Sequence, residues 1–172
     1  MSTLYVDTIT EKTAGNGVQI PGHVVQVAHN RTSTRISTTS NAWQDTGIEI
    51  TFTPYSATSK LLIIYDISVN IAAAGYSGNP AMFKTRIRNA TDSTVIGAAN
   101  GHNLWRFDIQ GSGASGLYCY THPSVQSYSD SWGTSAKTIR IQMADSEGGG
   151  VVFNETYPTG QDSGMTLMEI AQ

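Results

Sequence analysis

The chain has one cysteine, Cys119, so no disulfide can form within it. Charge is scarce too: only 13% of residues are Asp, Glu, Lys or Arg, and only 10 of the 172 are Lys or Arg. Proteins that grip nucleic acid cluster Lys and Arg to neutralise phosphates. Here Lys84, Arg86 and Arg88 form the only tight group, and on a strand these alternate positions share one face, which reads as a solvated face. The scarcity excludes a nucleic-acid partner and argues against an anionic membrane surface. The longest apolar run, Leu61–Tyr65, is far too short to cross a bilayer as a helix, so no membrane insertion is expected. The N-terminus lacks a basic start followed by a long apolar core, so no signal peptide is expected and synthesis in a cytoplasm is. No window of a dozen residues shows an apolar period of 3.6, which removes amphipathic helices. No repeat of 20–50 residues is present, which removes solenoids and propellers.

What is there is alternation. Leu61, Ile63, Tyr65, Ile67, Val69 and Ile71 point one way, and Asp66, Ser68 and Asn70 the other. Leu62 and Ile64 break the polar face, which predicts cover on both sides at the start of this strand. Ile48, Ile50 and Phe52 repeat the pattern, as do Ile139, Ile141 and Met143, and Trp105, Phe107 and Ile109. Turn-forming clusters separate the runs at Thr53-Pro54, 75–80, 89–92, 111–116, 147–150 and 158–164. Roughly eight to ten strands without helices predict an all-β fold, an antiparallel two-sheet sandwich. Alternation alone does not separate a jelly roll from an immunoglobulin-like topology. A chain of this length can bury about 70% of its unfolded surface, enough for one real core.

The first 26 residues read differently. Leu4-Tyr5-Val6 and Val18-Gln19-Ile20 are short β-type runs around a Gly-rich break at 14–17. Two such strands are marginal alone in water. We therefore expect residues 1–26 to be an extended attachment and oligomerisation arm, with Leu4, Val6, Ile9, Val18, Ile20 and Val24 as its contacts, and residues 27–172 to be the head. The junction falls between Gly22 and Asn41, and the Ser/Thr-rich stretch 31–41 reads as a linker or a polar edge strand.

Motifs for chemistry are weak. Residues 111–116 match G-x-G-x-x-G, but a dinucleotide site needs a helix to follow, and Leu117–Thr121 reads as a strand. Cys119 and His122 point to opposite faces of that strand, so they form no nucleophile–base pair. The four histidines lack H-x-H or H-x₃-H spacing, and Asp145-Ser146-Glu147 is short of a calcium loop's ligand count. No metal, cofactor or catalytic residue is expected, and the chain reads as no enzyme; it is too short for the β-helical body usual in polysaccharide depolymerases. Trp43 and Trp105 read as core or sheet-end residues. Tyr76, Tyr128, Trp132 and Tyr157 fall in predicted loops. Aromatics there suit stacking on a sugar or contact with a protein; the alternative is packing over the ends of the sandwich.

Three segments carry a resemblance. Residues 5–22, YVDTITEKTAGNGVQIPG, resemble the N-terminal stretch of structural proteins of tailed bacteriophages, especially marine ones. Residues 51–70, TFTPYSATSKLLIIYDISVN, resemble the strand–turn–strand of their globular domains, and residues 165–171, MTLMEIA, their C-terminus. The resemblance implies a virion protein: a tail fibre, fibre tip or capsid fibre. It implies a homotrimer with an N-terminal attachment segment that docks on other virion proteins, and a jelly-roll head resembling the tumour-necrosis-factor fold. Contact with a host-surface glycan is the further expectation, with a lectin-like receptor-recognition module or a capsid decoration protein as the alternatives.

Overall fold

The computed structural model describes residues 7, 8, 10, 21–73, 81–97, 105–109, 117–121, 123–129, 132–145, 151–153 and 162–172. Among these there is no helix, and the alternating runs form thirteen strands. They are β1 Val24–Thr32, β2 Ile36–Thr38, β3 Gln44–Phe52, β4 Lys60–Asp66, β5 Val69–Ala73, β6 Ala81–Asn89 and β7 Thr94–Ile96. There follow β8 Trp105–Ile109, β9 Leu117–Thr121, β10 Ser124–Ser129, β11 Lys137–Asp145, β12 Val151–Phe153 and β13 Ser163–Ile170.

Pairing resolves the topology. One ladder runs β1-β13-β4-β10, and a second runs β2-β12-β5-β9. Each strand of the first has its chain neighbour at the same place in the second, so the two are halves of one interrupted sheet. The opposing sheet runs β3-β11-β6, and its last edge is shared by β7 and β8, which pair with successive parts of β6. Along the chain, β1–β2, β4–β5, β9–β10 and β12–β13 lie in one sheet, and β3, β6–β8 and β11 in the other. Every link between these groups crosses from one sheet to the other, and consecutive groups never pair with each other. This is a jelly roll, and it settles the choice that alternation left open.

The expected long strand from Leu61 to Ile71 is two strands. It breaks at Ile67-Ser68, where the Ile67 N–H donates to the Pro123 carbonyl (3.1 Å) and the Ser68 N–H to Ser163 Oγ (2.9 Å). Proline has no N–H for the ladder, so pairing is interrupted at that level. The alternation nevertheless carries through, because Ile67 and Val69 stay in the core.

The core lies between the sheets. It gathers Ile48, Ile50 and Phe52 of β3, Leu61, Ile63 and Tyr65 of β4, and Ile139, Ile141 and Met143 of β11, with Phe83, Ile87, Met165 and Leu167. Each such side chain contributes about 1.5–3 kcal/mol relative to exposure. The Tyr65 hydroxyl is in the core too, bonded to Thr85 Oγ1 at 2.7 Å, and burial pushes its pKa up to about 12.

One sequence reading changes, and two left open are decided. Val24 belongs to β1 and faces Ile170, and Gly22 donates its N–H to the Ala171 carbonyl (2.8 Å), so residues 22–26 are part of the head's own sheet and not of an arm. The backbone pairing of the C-terminal strand extends that far. Leu4, Val6, Ile9, Val18 and Ile20 lie outside the described residues. Trp43 is not core: it sits half-buried on the outside of the β3-β11-β6 sheet, with Arg86 Cζ 4.3 Å and Lys84 Nζ 5.1 Å from its ring centroid. Cation–π attraction takes it there. Residues 36–38 of the Ser/Thr-rich stretch form β2, an edge strand.

Candidate functional site

Two surface features stand out, and Tyr128 belongs to both. The first is the outer face of the β1-β13-β4-β10 ladder. Alternation sends Leu61, Ile63 and Tyr65 of β4 inward, so Leu62 and Ile64 face outward and remain half-buried. On β13, Met165, Leu167 and Glu169 go inward, and Met168 and Ile170 outward. Register then aligns Val27 with Met168, Met168 with Leu62, and Leu62 with Tyr128. The result is an apolar row across all four strands, with Ile64, Ile170 and Val24 beside it. Its two ends are the most exposed large apolar side chains described, Val27 at 58% and Tyr128 at 60%. The cover predicted over Leu62 and Ile64 is thus incomplete in the single chain.

The second feature is a cavity of about 330 Å³ at the open side of the sandwich, between the edge strands β10 and β7. The turn after β6 builds one wall. Asn89 Oδ1 accepts the N–H groups of Thr91 (3.1 Å) and Asp92 (3.2 Å), and Asn89 Nδ2 donates to Asp92 Oδ2 (2.8 Å). This side chain fixes the turn, in which Ser93 takes a positive φ of 58°. Lys137, entering β11, donates to Asp92 Oδ2 and forms an ion pair with it. The Lys137 hydrogen bond is the main cause that holds the Asp92 carboxyl below the usual range, so it is ionised at neutral pH. Val95, Ile96, Tyr128 and Trp132 are the large apolar residues beside it, and its exposed wall is mostly polar.

The four aromatics expected to contact a receptor divide. Tyr76 and Tyr157 lie outside the described residues. Tyr128 is on the edge strand β10, not in a loop: Val125 and Ser127 turn inward, and Ser124, Gln126 and Tyr128 outward. Serine in an inward position hid that alternation. Trp132 does follow β10 outside a strand, but it is 9% exposed and packs in the core, its indole N–H donated to Ser129 Oγ. It lines the cavity as a packed wall, while Tyr128 presents an exposed ring. The structure brings these two together on one cavity.

Sequence reasoning missed Asp92 and Lys137, which pair across 45 positions with nothing local to mark them. It missed Val27 and Met168 as surface residues, although Leu62 and Ile64 on a polar face were a legible sign of that surface. The G-x-G-x-x-G match at 111–116 lies outside the described residues, and strand β9 follows it, as read. Cys119 is on β9, while His122 lies outside the described residues. Among the described residues no group of three His, Cys, Asp or Glu could hold a metal ion.

No protein-family model and no curated protein matches the chain. Among solved structures, it is similar to Eiger TNF from S. frugiperda, at 10% identity over 87% of this chain and 95% of that one, with a TM-score of 0.46. It is similar to a chain of infectious bursal disease virus Gx strain, at 12% identity over 86% of this chain and 37% of that one, TM-score 0.39. It is also similar to the C-terminal domain of EclA, a sugar-binding protein, at 9% identity over 92% and 89% of the two chains, TM-score 0.34.

Proposed function

We propose that this chain is a non-enzymatic structural protein of a tailed-phage virion, a homotrimeric fibre or appendage on the tail or capsid. The observation that carries the reading is the row Val27–Met168–Leu62–Tyr128, with its neighbours Ile64 and Ile170. Exposed apolar patches of this kind mark contact surfaces. A sister chain laid on the Val27, Met168 and Leu62 part of this face, with Tyr128 left at its rim, completes the cover that the alternation of β4 calls for, and each side chain newly buried contributes about 1–2 kcal/mol. The phage assignment rests on the resemblance of residues 5–22, 51–70 and 165–171. The N-terminal arm attaches the head to other virion proteins, and the site of action is the virion.

Light scattering on the purified full-length chain tests the assembly: a trimer is expected, and a monodisperse monomer overturns it. Deleting residues 1–20 should leave a folded head that fails to enter particles. Normal incorporation of the shortened chain removes the arm from the mechanism.

A second reading, recognition of a host-surface glycan, is favoured by one observation. Tyr128 and Trp132 line the same cavity, one exposed and one packed. A fibre tip can do both, and a sugar panel with no binding partner removes this reading without touching the first.

A further inference from the structure

We infer that the β7–β10 edge cavity takes an uncharged, polyhydroxylated sugar of mono- or disaccharide size, held through two neighbouring hydroxyl groups by Asp92 and Lys137 and stacked on Tyr128. The inference rests on the glycan reading and names its ligand class. Size comes first: about 330 Å³ is at the small end of the range for small-molecule sites. A single sugar ring or a pair fits, and a long polymer does not enter whole.

Chemistry decides the class. Asp92 is an ionised carboxylate and only accepts hydrogen bonds; Lys137 is an ammonium and only donates them. They touch, so an acceptor and a donor sit side by side on one wall. Two adjacent hydroxyls match that pair, one donating to Asp92 and the other accepting from Lys137. A carboxylate or sulfate on the ligand would meet Lys137 with its charge already matched and Asp92 repelling it. A cationic ligand would meet the reverse. The polar wall therefore favours a neutral group that offers both a donor and an acceptor.

The exposed Tyr128 ring fits the other half of a sugar. Asn89 is engaged in its turn through both ends of its amide, and its part is to hold Asp92 in place. The Tyr128 ring, 60% exposed at the cavity's edge, offers an apolar face beside a lining whose exposed wall is mostly polar. A pyranose has just such a division, C–H groups on its faces and hydroxyls on its rim. The Tyr128 ring loses little entropy on stacking, because its strand already fixes its direction.

The test uses the full-length chain, ¹⁵N-labelled, titrated with neutral mono- and disaccharides and with uronic and sialic acids. Neutral sugars should shift the Trp132 indole N–H resonance. Asp92→Asn and Tyr128→Ala should each weaken that binding at least tenfold, with the thermal unfolding transition retained; Ser33→Ala, exposed after β1 on the opposite edge of the sheet from β10, should leave it unchanged. If acidic sugars bind better than neutral ones, or neutral binding survives both substitutions, the inference is wrong while glycan recognition stands. If sugars bind without moving the Trp132 resonance, the site lies elsewhere and the inference is wrong. If no sugar on the panel binds, the glycan reading itself falls.

Discussion

The carboxylate of Glu169, on the last strand, accepts the backbone N–H of Tyr55 with both oxygens, each at 3.0 Å. Ser56 N–H adds a bond of 3.1 Å and Gln26 Nε2 one of 2.5 Å. A fully buried carboxylate thus ties the loop after β3 to the two ends of the chain's pairing, β1 and β13. Residues of the segments 51–70 and 165–171 meet at this one group. Burial alone would raise the pKa of Glu169; the hydrogen bonds from Gln26, Tyr55 and Ser56 outweigh it and leave it lowered.

Removing that charge should loosen the head. Glu169→Gln keeps the shape but loses the charge on an acceptor of several N–H groups, a loss of about 2 kcal/mol; Glu169→Ala also orphans buried donors and should lose about 3–5 kcal/mol. Urea unfolding of the two variants measures both. A loss under about 0.5 kcal/mol for the alanine variant, the size of an ordinary surface substitution, would show that the loop is held otherwise.

The same group makes the fold acid-sensitive. Its folded pKa lies below the unfolded value near 4.5, so its stabilisation is complete above 4.5 and disappears as pH falls through the folded value. Melting temperature should drop over that acid range, and the drop should be shallower in Glu169→Gln. Parallel pH profiles for the two proteins would refute it.

At the other end of the pH scale, Tyr65 is the group to test. Its folded pKa of about 12 exceeds the ordinary value of 10.0, so the neutral phenol stabilises the fold fully below pH 10, and that contribution is lost as pH rises through 12. Tyr65→Phe leaves Thr85 Oγ1 without its buried partner and should lose about 1–2 kcal/mol at neutral pH. It should also flatten the alkaline limb of the stability curve, which pH-dependent denaturation would show.

Gly47 marks a kink in β3. Between the pairs Glu49–Arg140 and Asp45–Gln142, β3 carries more residues than β11, and Thr46 Oγ1 donates to the Ile141 carbonyl at 2.9 Å. Gly47 takes φ +78° with no atom within 4 Å of where a Cβ would stand. Gly47→Ala therefore meets backbone strain and no clash, and should lose about 1–2 kcal/mol. An alanine variant as stable as the parent would show that the kink relaxes.

Assembly should respond to a charge in the apolar row. Val27→Asp adds a carboxylate at the exposed end of that row, where the single chain tolerates it and a buried interface does not. Light scattering should report a folded monomer in place of the proposed trimer. A trimer that survives Val27→Asp and Leu62→Lys together places the contact on another face.

The strands were legible in this chain because a sheet with one buried face forces alternate residues to be apolar; Ile48, Ile50 and Phe52, or Ile139, Ile141 and Met143, announce their own direction. The same rule exposed Leu62 and Ile64 as residues with an unmet need for cover. It failed at β10, where the inward Ser127 carries no apolar signal, and it left Trp43 between core and sheet end, because its partners Lys84 and Arg86 lie on another strand. The cavity was illegible for a related reason. Asp92, Tyr128 and Lys137 come from three separate segments, and only strand order makes them neighbours.

Sequence by itself determined the all-β class, the faces of most strands, and the absence of any local catalytic motif, because these depend on period and on near neighbours. Tertiary structure alone decided the jelly-roll order, the alignment of Val27, Met168, Leu62 and Tyr128 into one row, and the pairing of Glu169 with Tyr55. Those depend on which strands hydrogen-bond to which, a choice made by the whole buried core at once and written in no single stretch of residues.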